Sequence, residues 1–194
     1  WYRRRDAEAR AEWLHARELD PYSGVVSAWI ALHLVNNGQD QEGLQETRRA
    51  FELDSMSLVV SQMGSLIYLY AGRPREAMRL AQGMLGSPPP FVGMFAFVLG
   101  RAGDLAAART MALDLERSAS RTWFAHSTAA FAWLGVGDTA RALTELERAT
   151  EAREIWPTFN RLAEPMYDPL RKSARWVGLV TRVGLADSEL AGAR

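Results

Sequence analysis

The sequence predicts an all-α chain, a solenoid of antiparallel helix hairpins closed by a C-terminal capping helix. Four glycines, Gly38, Gly72, Gly103 and Gly137, recur at intervals of 34, 31 and 34 residues. A fixed period in this range marks repeats built from helical hairpins. Five residues after each glycine stands a small residue, Gly43, Ala77, Ala108 and Ala142, and twelve after stand Ala50, Met84, Leu115 and Ala149.

Each position has a physical task. The glycine ends one helix, because a left-handed cap carries no Cβ penalty there. The small residue sits one turn into the next helix and lets two backbones approach. Apolar residues at helical spacing, such as Leu143, Leu146 and Ala149, then fill the seam.

Taken in order, residues 1–21 form a partial unit that ends on Ala16-Arg17-Glu18-Leu19-Asp20-Pro21. The next unit, about 22–55, ends on the matching Ala50-Phe51-Glu52-Leu53-Asp54-Ser55. Proline or serine after aspartate turns the chain out of the helix. The unit 56–87 contains the inter-helix turn at Gly72-Arg73-Pro74. The unit 88–120 is shortened, and Ser87-Pro88-Pro89-Pro90 is where the 31-residue spacing and a rigid turn are expected. The unit 121–152 closes the repeats. Residues 153–194 are read as cap and tail. Trp156-Pro157-Thr158-Phe159 and Glu164-Pro165-Met166-Tyr167-Asp168-Pro169 form an irregular turn region there. A last helix is expected from Leu170 to about Val183, with Trp176, Leu179, Val180 and Val183 on one face. A solenoid needs such a cap to stop end-to-end stacking.

The unit endings Leu19-Asp20-Pro21 and Leu53-Asp54-Ser55, together with Gly72-Arg73-Pro74-Arg75-Glu76-Ala77, resemble the tetratricopeptide family, whose repeats close on Leu-Asp-Pro, over residues 9 to about 152. The family's early aromatic in the first helix is missing from most units. Asp168-Pro169-Leu170-Arg171, Arg175-Trp176 and Val183-Gly184-Leu185 are similar to the ending of tetratricopeptide arrays in bacterial signalling proteins. Those include serine/threonine kinases, adenylate cyclases and winged-helix regulators. The resemblance implies a right-handed superhelix that binds a protein or peptide segment, or another domain of a parent protein. Since the chain begins at Trp1 inside a helical pattern, a longer parent is expected.

By the same resemblance, the first helix of each hairpin lines a concave groove. Its positions would be Val25, Ala28, Leu32, Val35 and Asn36, then Val59, Gln62, Leu66, Leu69 and Tyr70. Phe97, Arg101, Phe124, Ser127, Phe131 and Leu134 continue it. The lining is mostly apolar, which suits an amphipathic helix or an extended apolar segment. Apart from Asn36, it lacks the lysines and asparagines with which some family members grip a C-terminal carboxylate.

Composition narrows the function classes. Acidic and basic residues balance at 23 each, whereas wrapping nucleic acid calls for a basic excess. No apolar run reaches the roughly 20 residues of a membrane span. There is no cysteine, hence no disulfide and no zinc–thiolate site; a cytoplasmic setting is expected. Only Lys172 among the 23 basic residues is lysine, a chain-wide arginine bias that fits a GC-rich genome better than selection for bidentate recognition.

No chemistry-bearing constellation stands out. His15, His33 and His126 have no ligand at metal spacing and read as packed or surface imidazoles. The pairs Glu145/Glu147 and Glu151/Glu154 fall among arginines and read as solvated ion pairs. Neither a phosphate-binding loop nor a nucleophile elbow is present. The expectation is a non-catalytic interaction domain with no cofactor and no metal. The alternatives are a free-standing adaptor or an RNA-reading helical repeat. A homodimer through exposed end hairpins is also compatible.

Overall fold

The helix boundaries follow from caps that recur with the repeat. The structure is a computed structural model and describes residues 6–118, 124–154 and 164–184. The described residues contain ten α-helices, one 3-10 helix and no strand. The α-helices are α1 Asp6–Leu19, α2 Gly24–Asn36, α3 Asp40–Leu53, α4 Leu58–Tyr70, α5 Pro74–Gln82, α6 Pro89–Arg101, α7 Leu105–Ser118, α8 Ala125–Val136, α9 Thr139–Glu151 and α10 Ala174–Arg182. The 3-10 helix spans Pro165–Leu170. The chain divides into two compact units, Asp6–Ser87 and Pro88 onward.

In the first unit the same devices occur twice, 34 residues apart. The hydroxyls of Ser23 and Ser57 accept the N–H groups of Val26 and Val60, each at 3.3 Å, and so cap α2 and α4. At the other ends Gly38 and Gly72 take φ of +76° and +72°. This lets Gln39 N–H reach Leu34 C=O at 2.9 Å and Arg73 N–H reach Tyr68 C=O at 2.8 Å.

The hairpin α2/α3 is antiparallel. Gly43, early in α3, lies against Ala31 and Val35 late in α2, while Gly24, first in α2, lies against Ala50 and Asp54. Gly64 of α4 meets the Phe51 ring of α3 and Leu80 of α5. Helices α2 and α4 are apolar on nearly every face and bury Leu32, Met63, Leu66 and Ile67 completely or almost so. Helices α3 and α5 bury Ala50, Ala77 and Ala81 and turn charged residues outward. Trp13 of α1 stacks on Trp29 of α2 at 5.5 Å.

The second unit is built on close backbone contact between α6 and α8. Gly93 faces Thr128 near the start of both helices, and Gly100 faces Gly135 near their ends, so the two run parallel. Asp104 and Asp138 carboxylates accept Ala107 and Arg141 N–H groups at 3.1 and 3.0 Å at the starts of α7 and α9. The fully buried Trp133 donates its indole N–H to Glu116 at 3.1 Å, and the Arg141 guanidinium lies 4.5 Å over its ring.

The last helix starts four residues after the expected Leu170. Pro165–Leu170 forms the 3-10 turn, and α10 starts only at Ala174, where the Ser173 hydroxyl accepts Arg175 N–H at 3.2 Å. Ser173 is the N-cap that sets this later start. The apolar face is as expected at Trp176, Leu179 and Val180, all buried; Val183 is the half-buried C-cap. Trp176 stacks on Tyr167 at 5.3 Å. Trp156–Phe159 and Leu185 lie outside the described residues.

Candidate partner-binding surfaces

The groove positions expected from the sequence separate into two sets. Leu32, Val35, Gln62, Leu66, Phe97, Phe124 and Phe131 are buried, as are Ala28, Ser127 and Leu134. They are core side chains, which corrects the expectation that they line an open groove. The physical reason is that the first helices are apolar all round, so periodicity cannot separate a lining face from packed ones. Val25, Asn36, Val59, Leu69 and Tyr70 in the first unit are half-buried, and Arg101 in the second is exposed.

The most exposed large apolar side chains of the first unit lie elsewhere, at the end of α1 and on the turns. Leu19, Tyr22 and Met56 are 75, 80 and 89% exposed, and Leu85 is 56% exposed. Tyr22 and Met56 are 34 residues apart and occupy the same place in two successive turns, Glu18-Leu19-Asp20-Pro21-Tyr22-Ser23-Gly24 and Glu52-Leu53-Asp54-Ser55-Met56-Ser57-Leu58. The turns adjoin. A Cβ on Gly24 would lie 2.8 Å from the Asp54 Cβ, and Arg49 donates to Pro21 C=O at 3.2 Å. Asp20 and Asp54 shape them by accepting Tyr22 N–H at 3.3 Å and Ser57 N–H at 3.1 Å. Tyr22 and Met56 therefore project from one edge of the unit with no packing role inside it.

A third feature, in the second unit, corrects the reading of Glu145 and Glu154 as solvated, whereas Glu151 is exposed and Glu147 is a half-buried partner of Arg175. Helix α8 begins on Phe124, whose φ of +60° is left-handed and whose side chain gives no cap hydrogen bond. The cap arrives from downstream. Glu154 accepts His126 N–H at 3.0 Å, Ser127 N–H at 2.8 Å and the Ser127 hydroxyl at 2.5 Å. Arg153, immediately before it, also has a left-handed φ, +54°. Its place resembles that of the turn glycines, with Glu154 N–H closing on Ala149 C=O at 2.8 Å. Beside this cap Glu145, 1% exposed, pairs with His126 Nδ1 at 2.7 Å and Arg148 at 2.6 Å. His126 is thus a partner of a buried carboxylate. The arrangement satisfies α8's otherwise orphaned N–H groups.

Two carboxylates titrate below the ordinary range. The Arg175 guanidinium donates to both oxygens of Glu147, at 3.1 and 2.7 Å, and this hydrogen bonding lowers the Glu147 pKa and raises that of Arg175. Glu76 is lowered first by its own backbone N–H at the start of α5 and then by Arg73. Among the described residues no group of three or more His, Asp or Glu could hold a metal ion, and no helix is long and apolar enough to cross a membrane. No protein-family model matches the chain, and no curated protein matches it.

Proposed function

We propose that the chain is a non-catalytic interaction domain that captures a protein segment. In this reading it is a tetratricopeptide-type solenoid serving a larger bacterial signalling or transcription-regulating protein. One observation carries the binding role: Tyr22 and Met56 are exposed at repeat-equivalent positions of adjoining turns. An isolated exposed apolar side chain is ordinary, whereas one repeated on adjoining turns favours an interface. The recurrence of Ser23/Ser57 caps and left-handed Gly38/Gly72 turns supports the repeat family.

In this reading the partner sits on the turn edge instead of the concave face. A second reading keeps the concave face of the first unit, on the strength of half-buried Val59, Leu69 and Tyr70 on α4. Affinity capture from a bacterial lysate separates them. The parent chain is compared with Tyr22→Ser/Met56→Ser and with Val59→Ser/Tyr70→Ala. The turn-edge reading expects capture of a discrete protein to be lost only in the first variant. Loss only in the second moves the interface to the concave face, and undiminished capture by both removes the two surfaces together.

A further inference from the structure

The chemistry around Tyr22 and Met56 defines what fits there. This step rests on the turn edge being an interface. Residues 18–24 and 52–58 contain four carboxylates, Glu18, Asp20, Glu52 and Asp54, and no Lys, Arg or His. All four are exposed. Cations do border the segments: His15 lies 3.5 Å from Glu18, Arg49 donates to Pro21 C=O at 3.2 Å and lies 3.9 Å from Glu46, and Arg17 pairs with Glu46 at 3.2 Å. Exposed Arg48 stands one helical turn before Glu52 on α3, and exposed Arg79 lies on α5. With Arg48 and Arg49 set against the four carboxylates, the exposed apolar residues lie in a net acidic setting, in a chain whose net charge is zero.

The spacing adds a second constraint. Helices α2 and α4 pack directly against each other, and packed helices lie about 8–10 Å apart. Their leading turns, carrying Tyr22 and Met56, repeat at that interval. Seven residues of an α-helix rise about 10 Å. A ligand helix lying across the turns thus presents successive apolar residues at i and i+7 to the two anchors.

We propose that this edge docks an amphipathic helix whose apolar stripe seats on Leu19, Tyr22 and Met56 and whose basic flanks meet Glu18, Asp20, Glu52 and Asp54. Charge complementarity selects this occupant. A second copy of the chain would bring the same carboxylates against these in a two-fold contact, and like charges across an interface are unfavourable.

The test uses the full chain and two fluorescein-labelled helical peptides of about 18 residues, some 27 Å long. They share one leucine stripe; one carries lysine and arginine on the polar face, the other glutamate. Anisotropy titrations are run with the parent, Tyr22→Ser/Met56→Ser and Glu18→Gln/Glu52→Gln, in low and raised salt. The expected result is binding of the basic peptide alone. It weakens at least about tenfold when the two anchors are truncated, and several-fold in the glutamine variant or in salt. The substituted side chains are exposed, and unchanged helicity and melting temperature verify the fold.

The outcomes divide cleanly. If the acidic peptide binds as well, and the serine variant weakens both, the edge stands as an interface and the basic-helix assignment falls. If neither peptide binds, the interface reading of the edge falls with it. Concentration-dependent dimerisation of the parent that Tyr22→Ser/Met56→Ser abolishes assigns the edge to a second copy and overturns the proposal.

Discussion

Gly135→Ala asks whether α6 and α8 are held backbone to backbone. A Cβ at residue 135 would sit 2.6 Å from the Phe97 Cα and 2.8 Å from both the Ala96 and Phe97 carbonyl oxygens. Favourable carbon contacts lie near 3.5–4.0 Å, so the helices must part by roughly 1 Å, and no flexible side-chain end is available to yield. Overpacking of this kind costs about 1–3 kcal/mol, occasionally more. Against it stands the helix-propensity gain of alanine over glycine, about 1 kcal/mol. The rigid backbone on the far side puts the cost at the upper end, leaving a net loss of about 1–2 kcal/mol.

Gly178 in α10 supplies the control, because a Cβ there meets nothing within 4 Å. Gly178→Ala keeps the propensity gain and incurs no clash. Thermal unfolding followed by Trp fluorescence and far-ultraviolet circular dichroism should lower the Gly135→Ala midpoint by about 2–8 °C. The Gly178→Ala midpoint should hold or rise. A Gly135→Ala protein as stable as Gly178→Ala would refute the close α6/α8 contact.

Three further expectations follow from individual residues. Leu66→Ala and Phe131→Ala should each cost about 2–5 kcal/mol in denaturant unfolding, as core truncations do; near-neutral values would return these side chains to an open groove. Arg153→Gly should stabilise by roughly 1 kcal/mol, since glycine adopts the left-handed turn without the Cβ penalty, and a destabilised variant would mean Arg153 makes a compensating contact. Glu147, with its pKa depressed by Arg175, favours docking of α10 above the ordinary carboxylate value of 4.5 and loses that contribution as pH falls through its lower folded value. Trp176 emission should report an acid step that is absent in Glu147→Gln; an identical pH profile in both would show that the pair does not hold α10.

The helical hairpins were legible because their punctuation is local. Gly38, Gly72, Gly103 and Gly137 all have positive φ in the structure, and the small residues Gly43, Ala77, Ala108 and Ala142 are all buried. A turn glycine and a close-approach residue each answer to a single steric demand, so their spacing is readable one residue at a time. The cap of α8 was not legible. Phe124 is no capping residue, and its substitute lies 28 residues from Ser127's neighbour His126, beyond any local motif. The deviation itself was the available signal: a helix start without Ser, Thr, Asp or Asn at its cap needs an acceptor from elsewhere.

The burial of the expected groove positions was not legible for a different reason. On α3 the charged residues leave a single apolar stripe, and the stripe identifies the buried face. On α4, Leu58–Tyr70, apolar residues cover most of the circumference, so Leu66, Leu69 and Tyr70 are indistinguishable by pattern although one is buried and two are half-buried. Family analogy then filled the gap with a groove. What the sequence did carry was an anomaly in the turns. Between Asp20 and Ser23, and again between Asp54 and Ser57, every position but two has a capping or turning role. Ser55 and Pro21 can be assigned to the turn, whereas Tyr22 and Met56 cannot. A large apolar residue at a position that local geometry does not require, repeated at the period of the fold, is the anomaly on which the proposed binding edge rests.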